Sequence, residues 1–259
     1  MSYALITGAS KGIGKCIAEC LARRNYDLLL VARSEDLLSG LATEWREKYR
    51  VQVQYLVKDL TQPTAAREIT EWVRAGQWPL QVLVNNAGYG LWGYFRELSG
   101  ESQHHMLQIN MMTLFDLTYD LLPVLSDHTP AYILNVGSMA GLQAMPSLSG
   151  YSASKAFVNT FSRALHDELK PLGISVTVLT PGSVDTNFVA VSGMTHMEEM
   201  AKKTSMTPEA VAEAAVRAMF KKKKQVTPGF SNRLASFGVK HMPKGWIEQL
   251  VASIYRKKG

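Results

Sequence analysis

Tyr3-Ala4-Leu5-Ile6-Thr7-Gly8-Ala9-Ser10-Lys11-Gly12-Ile13-Gly14 is the stretch from which the rest of the fold can be read. Tyr3 to Thr7 reads as a short buried strand that Gly8 ends. Ile13, Ile17, Cys20 and Leu21 then recur at helical spacing up to Arg24. A glycine-rich turn between a strand and a helix lets main-chain N–H groups approach a phosphate at the positive end of the helix. The glycines follow GxxxGxG, a departure from the more familiar GxGxxG, and taken alone they also fit a simple tight turn. Gly8, Ser10, Lys11, Gly12, Ile13 and Gly14 are the candidate contacts to such a phosphate.

Leu28 to Ala32 forms a second apolar run. A site for NAD wants Asp or Glu at its end to hold the ribose 2′-OH. Ala32 stands there instead, followed by Arg33 and Ser34. Arg33, with Lys11, suits a 2′-phosphate, so NADP(H) is the expected cofactor.

Leu37 to Tyr49 has an amphipathic helical pattern, and Val51 to Val57 alternates as a strand that runs on to Asp59-Leu60. Asp59 is placed either to reach an adenine or to cap the helix after Pro63. Leu80 to Val84 leads into Asn85-Asn86-Ala87-Gly88, where small residues allow close approach to a ligand, although Asn and Gly also suit an ordinary turn. A long helix is expected from about Glu101 to Leu125, with Asn110 unfavourably in its middle. Ala131 to Val136 is the fifth strand, with Ser138 just past it. A helix after Pro146 runs to about Lys170, and Ile174 to Leu179 is the sixth strand, followed by Pro181-Gly182 and Thr186. This alternation predicts a Rossmann-type, doubly wound parallel α/β sheet with helices on both faces. Ligands bind beyond the carboxyl ends of such strands, where Gly12, Asn86, Ser138 and Pro181 all fall.

Tyr151 and Lys155 lie four apart on one predicted helix and so share a face. A phenol alone is a poor base at neutral pH. A neighbouring ammonium favours the phenolate, so the tyrosine can exchange a proton with a carbonyl or alcohol oxygen. An isolated pair of this kind is more often an ordinary tyrosine beside a solvated lysine.

Taken together and in this order, Thr7-Gly8-xxx-Gly12-x-Gly14, Asn85-Asn86-Ala87-Gly88, Asn110, Ser138, Tyr151-xxx-Lys155 and Pro181-Gly182 with Thr186 resemble the short-chain dehydrogenase/reductase family over about residues 3–190. The resemblance implies about seven strands in the order 3-2-1-4-5-6-7 and hydride transfer between a nicotinamide and a carbonyl carbon. It implies Tyr151 as acid/base, Ser138 as hydrogen-bond donor to the substrate oxygen, Lys155 on the nicotinamide ribose, and Asn110 holding a water of a proton relay. It associates Pro181, Gly182 and Thr186 with the nicotinamide, and the position of Arg33 with the NADP-preferring branch. In a reducing cytosol such an enzyme is expected to run as a carbonyl reductase.

The chain has 259 residues, enough for a large core, and is expected to form a single domain over 1–259. That domain divides into a cofactor-binding and catalytic core to about 190, a substrate loop over 183–206 and a helical extension over 230–259. The net charge of +6 is local, because Lys221 to Lys224 and Arg256-Lys257-Lys258 together carry seven positive charges. That argues against a nucleic-acid binder with a basic stripe across its fold. Cys16 and Cys20 read as small buried thiols in a reducing compartment, since i and i+4 helical positions do not suit a disulfide. No metal is expected; adjacent His104 and His105 lack partners at ligand spacing. No leader or membrane-spanning apolar run is read, so a cytoplasmic protein is expected.

Substrate choice in this architecture belongs to loops. Tyr89, Leu142, Met145 and Phe188 are the candidate substrate contacts, in apolar loops that also carry Leu91, Trp92, Met194 and Met197. They suit an apolar ketone or aldehyde. Trp246, Ile247, Leu250, Val251, Ile254 and Tyr255 form an apolar helical face. Packing against its own chain or a sister subunit, in a homodimer or homotetramer, is favoured over contact with an anionic membrane. The alternative to an enzyme is a cofactor-binding sensor of the same fold with little turnover.

Overall fold

The computed structural model describes residues 2–186, Ser192 and residues 205–255. Strands and helices alternate as β1 (Tyr3–Thr7), α1 (Gly12–Ala22), β2 (Asp27–Ala32), α2 (Glu35–Tyr49), β3 (Val53–Val57), α3 (Ala65–Ala75) and β4 (Leu80–Asn85). They continue as α4 (Gly100–Leu107), α5 (Thr113–Ser126), β5 (Ala131–Val136), α6 (Ser149–Glu168), β6 (Ile174–Leu179), α7 (Pro208–Phe220), β7 (Gln225–Val226), α8 (Phe230–His241) and α9 (Lys244–Tyr255). The seven strands pair in the order β3-β2-β1-β4-β5-β6-β7, and each pairing is parallel. This is the doubly wound Rossmann-type arrangement expected from the alternation.

Strand periodicity sorts side chains to the two faces. On β1, Ala4 and Ile6 join a core with α1, α2 and α7, whereas Leu5 joins the opposite core with α3 and α5. β2 repeats the division, with Leu28 and Leu30 on one side and Leu29 and Val31 on the other. A strand covered on both faces has no polar side, which is why these runs are continuously apolar. On α1, Cys16 and Cys20 are buried free thiols facing Glu209 and Glu213 of α7 at 3.6 and 3.4 Å. Burial first, then the adjacent carboxylates, pushes Cys16 up to about 12 and Cys20 to about 11, so neither is a reactive thiolate.

Three elements differ from the sequence expectation. The single helix expected over 101–125 is interrupted by a π turn at Gln108–Met112, which contains Asn110. One extra residue per turn re-aims that side chain, the usual use of such a turn. β3 begins at Val53, because the Gln52 N–H is taken by Asp27 Oδ1 at 2.7 Å instead of by a neighbouring strand. The tail forms two helices, and the apolar stripe expected over 246–255 divides: Ile247 is buried and Trp246 is exposed. The remaining side chains of that stripe lie outside the described set.

Candidate active site

The site is built where β1, β4, β5 and β6 end. At β1, Gly8 has a φ of +65°, and a Cβ there would stand 2.8 Å from Asn86 Nδ2 and 3.0 Å from Ala87 Cα. On Gly14 a Cβ would fall 2.3 Å from the same nitrogen. The glycines therefore let the first turn close on the end of β4. Thr7 and Asn86 tie that closure. Thr7 Oγ1 accepts from the Asn86 and Ala87 N–H groups at 3.0 and 3.1 Å. Asn86 Nδ2 donates to the Thr7 and Gly8 carbonyls at 2.9 and 3.2 Å. Both amide hydrogens of Asn86 are thus spent within the protein, and its side chain holds the turn. The sequence placed Thr7 at the head of the glycine motif without assigning it this tie to the end of β4.

Helix α1 starts at this turn with Lys11 as its N-cap and no side-chain cap bond, so the leading N–H groups are not covered by a capping side chain. Ser10 and Ile13 flank them, both part-exposed. Thr186 arrives from the β6 side: a Cβ on Gly12 would lie 3.2 Å from its Cγ2. Arg33 and Ser34 are exposed beyond β2. The donor set fits a phosphorylated dinucleotide: an uncapped helix end, a glycine cradle and cations at Lys11 and Arg33. Asp59 does not cap α3. Its Oδ1 accepts from Thr61 N and Oγ1 at 3.0 and 2.9 Å, because its short side chain reaches two residues on in an Asx turn. The Thr61 N–H chiefly holds its carboxyl below the usual range, and Arg33 adds to this. Leu60 points into the core beneath α5, and its carbonyl accepts from Thr113 Oγ1 at 2.9 Å.

Ser138, Tyr151, Lys155 and Asn110 are all buried. Ser138 caps a 3₁₀ turn at Met139–Leu142, and its Oγ accepts from Ala140 N at 3.0 Å. Met139 N donates to Pro181 O at 3.0 Å, which fixes the loop from β5 against the one from β6. Lys155 Nζ donates to Val136 O at 2.8 Å and lies 5.9 Å from the Tyr151 ring centroid. Burial pulls Lys155 down to about 8, so the ammonium still prevails at neutral pH. A Cβ on Gly88 would lie 2.7 Å from Asn110 Oδ1 and 3.5 Å from Lys155 Nζ, which brings the β4 loop onto the same cluster.

Asn110 clamps Tyr89 from both sides. Its Oδ1 accepts from Tyr89 N at 3.1 Å, and its Nδ2 donates to Tyr89 O and to Ser154 Oγ, each at 3.0 Å. Ser154 Oγ in turn donates to Tyr151 O at 2.7 Å. One turn past Lys155, Asn159 Nδ2 donates to Ser138 O at 2.9 Å. A Cβ on Gly137 would stand 2.1 Å from Asn159 Oδ1. Asn159 was not singled out from the sequence; its i+4 spacing from Lys155 was the available signal.

Over the tyrosine lies a small apolar cluster. Met106, Met145, Leu148 and Tyr151 are buried, and Tyr89, Leu91, Trp92 and Ala140 pack on them. Leu142 is part-buried and outside this cluster, and Phe188 lies outside the described residues. Trp92 N donates to Ser192 O and Gly93 N to Ser147 O, each at 2.9 Å, so three loops are joined at this end of the sheet.

The family model for short chain dehydrogenase matches residues 2–196. The very-long-chain 3-oxoacyl-CoA reductase of Anas platyrhynchos is 36% identical over 221 residues, 83% of this chain and 68% of that protein. Hydroxysteroid dehydrogenase-like protein 1 of Gallus gallus is 31% identical over 266 residues, 99% and 77% of the two. Among solved structures, a short-chain dehydrogenase from Sphingobium yanoikuyae in complex with NADPH superposes with a TM-score of 0.83 at 29% identity, covering 100% of this chain and 98% of that one. The bulky-bulky ketone specific alcohol dehydrogenase of Comamonas testosteroni gives 0.78 at 28% identity, covering 98% and 92%. With this sheet order, this motif order and these relatives, the chain belongs to the short-chain dehydrogenase family.

Proposed function

We propose that the protein is an NADP(H)-dependent reductase of apolar ketones, with Tyr151 as the proton donor. The observation that carries this reading is the convergence of buried Ser138, Tyr151 and Lys155 beneath the cluster of Met145, Leu148, Tyr89 and Trp92. When bound, the nicotinamide supplies the hydride. Lys11, Arg33 and the uncapped start of α1 bind its phosphates, and Lys155 holds the ribose. Ser138 donates a hydrogen bond to the substrate carbonyl oxygen. Tyr151 donates the phenolic proton to that oxygen, and the nearby Lys155 ammonium stabilises the phenolate left behind. The Asn110 side chain is engaged on Tyr89 and Ser154, so within the π turn it holds the loop after β4 against α6, and a relay water at this residue would be held by another group. The apolar cluster excludes water and selects a substrate with hydrocarbon on both sides of the carbonyl.

Two of the proteins this chain is similar to are named a very-long-chain 3-oxoacyl-CoA reductase and a bulky-bulky ketone specific alcohol dehydrogenase, and substrates of both kinds carry such a carbonyl. Met112, Phe115 and Tyr119 on the outer side of the α5 region are exposed, and we assign this face to a sister subunit. NADPH oxidation against long-chain 3-oxoacyl thioesters, steroid ketones and bulky aryl ketones tests the substrate class, with NADH as the cofactor control. Turnover of at least one class is expected, and Arg33→Ala should lower the preference for NADPH over NADH by about tenfold or more. Tight NADPH binding without turnover of any class would transfer the assignment to a cofactor sensor.

A further inference from the structure

Helix α8 is amphipathic in the inverted sense. Phe230, Leu234 and Phe237 form one stripe at i, i+4 and i+7, and they are 77%, 63% and 61% exposed. The opposite side carries Asn232, Ser236 and Val239. Ser236 is buried, and Asn232 Nδ2 donates to Pro228 O at 2.9 Å. Exposed Met242 and Trp246 extend the apolar side residues beyond α8. A helix that served only its own core would turn the aromatic stripe inward.

Charge is concentrated in the same segment. Residues 230–259 contain six cations, Arg233, Lys240, Lys244, Arg256, Lys257 and Lys258, and one carboxylate, Glu248, so they carry +5 of the chain's formal +6. A second copy meeting this face about a two-fold axis would bring two such charges together. An anionic bilayer surface complements them, and basic residues beside exposed Phe, Leu and Trp are the composition of helices that lie in the headgroup layer. None of the described helices is long and apolar enough to cross a membrane, so the fit is to the surface.

We propose that α8 and the start of α9 seat the protein on an anionic lipid surface, with Phe230, Leu234, Phe237 and Trp246 entering the headgroup region. Helix α8 also borders the candidate active site. A Cβ on Gly182 would stand 2.6 Å from Asn232 Oδ1, and α8 packs against the Met139–Leu142 turn that Ser138 begins. Seating therefore brings that end of the sheet to the lipid.

Flotation of the full chain with phosphatidylcholine vesicles, with and without phosphatidylglycerol, tests this directly. Wild type is expected to float with the anionic vesicles, to bind the neutral ones weakly, and to be partly released by salt. The double variant Phe230→Ser/Phe237→Ser should lose about tenfold or more of the bound fraction with its thermal midpoint unchanged. Arg233→Glu should weaken binding to the anionic vesicles alone. No binding of wild type to anionic vesicles, or equal binding by the double variant, overturns the proposal. If wild type sediments as an oligomer, the serine variant as a monomer, and neither floats, the face belongs to a second copy instead.

Discussion

Lys155 is the residue on which the electrostatics of the site turn. Its ammonium is buried with one main-chain acceptor, Val136 O, and burial pulls it from the ordinary lysine value to about 8. An unfolded lysine titrates near ~10.4. Between those two pH values the unfolded chain keeps a proton that the folded chain has released, so this group makes stability rise with pH. The burial penalty is complete below about pH 8 and absent above the unfolded value, amounting to about 3 kcal/mol. Urea unfolding of wild type and Lys155→Met on either side of that window should show wild type gaining stability relative to the variant as pH rises; a constant difference would refute the burial argument. The same penalty shows why a buried lysine here is a functional expense: a neutral residue would fold more easily and leave the Tyr151 phenol without its cation. Tyr151 and Lys155 stand out in the sequence because a four-residue spacing on one helix is local, whereas Ser138 and Asn110 were marked as site residues only by the order of motifs in the family resemblance. Asn159 was not marked, because it acts on the Ser138 main-chain carbonyl, and no residue type marks a carbonyl as needing a donor.

At the scale of elements, the loop after β5 and helix α6 form one unit. Asn159 on α6 holds the Ser138 carbonyl, and Lys155, one turn earlier, holds the Val136 carbonyl. The helix thus fixes the strand end at two points two residues apart, which places the Ser138 hydroxyl. Removing the amide in Asn159→Ala frees that point without touching the cofactor turn. It should lower kcat by about tenfold or more, since displacements of an ångström are costly in catalysis, with NADPH affinity unchanged. A loss of NADPH affinity equal to the loss in kcat would show general damage instead of positioning. The π turn at Gln108–Met112 illustrates what element-level patterns hide. The sequence placed Asn110 in mid-helix and marked it as anomalous, but an apolar periodicity that runs through an extra residue still resembles one helix. A helical extension was expected over 230–259, but the outward face of α8 was not, because an i, i+4, i+7 stripe states which residues share a face and not which way that face points.

For the whole molecule, the sheet order β3-β2-β1-β4-β5-β6-β7 gathers the ends of β1, β4, β5 and β6 at one edge. The alternation of apolar runs and helical periods predicted the parallel sheet with helices on both faces, and resemblance to the family supplied the strand order. Residues far apart in the chain, from Gly8 to Thr186, meet there because parallel strands all end on the same side. What the sequence left open is the shape of the apolar cluster over Tyr151, because it is assembled from loops whose mutual bonds, such as Trp92 N to Ser192 O, have no sequence signature. If Tyr151 gives the proton that completes carbonyl reduction, the rate of NADPH oxidation by Tyr151→Phe beside wild type, with a ketone that wild type reduces, is the decisive measurement. Loss of the phenol should lower kcat by about 10²–10⁴ with NADPH binding retained. A phenylalanine variant that turns over at the wild-type rate would contradict it.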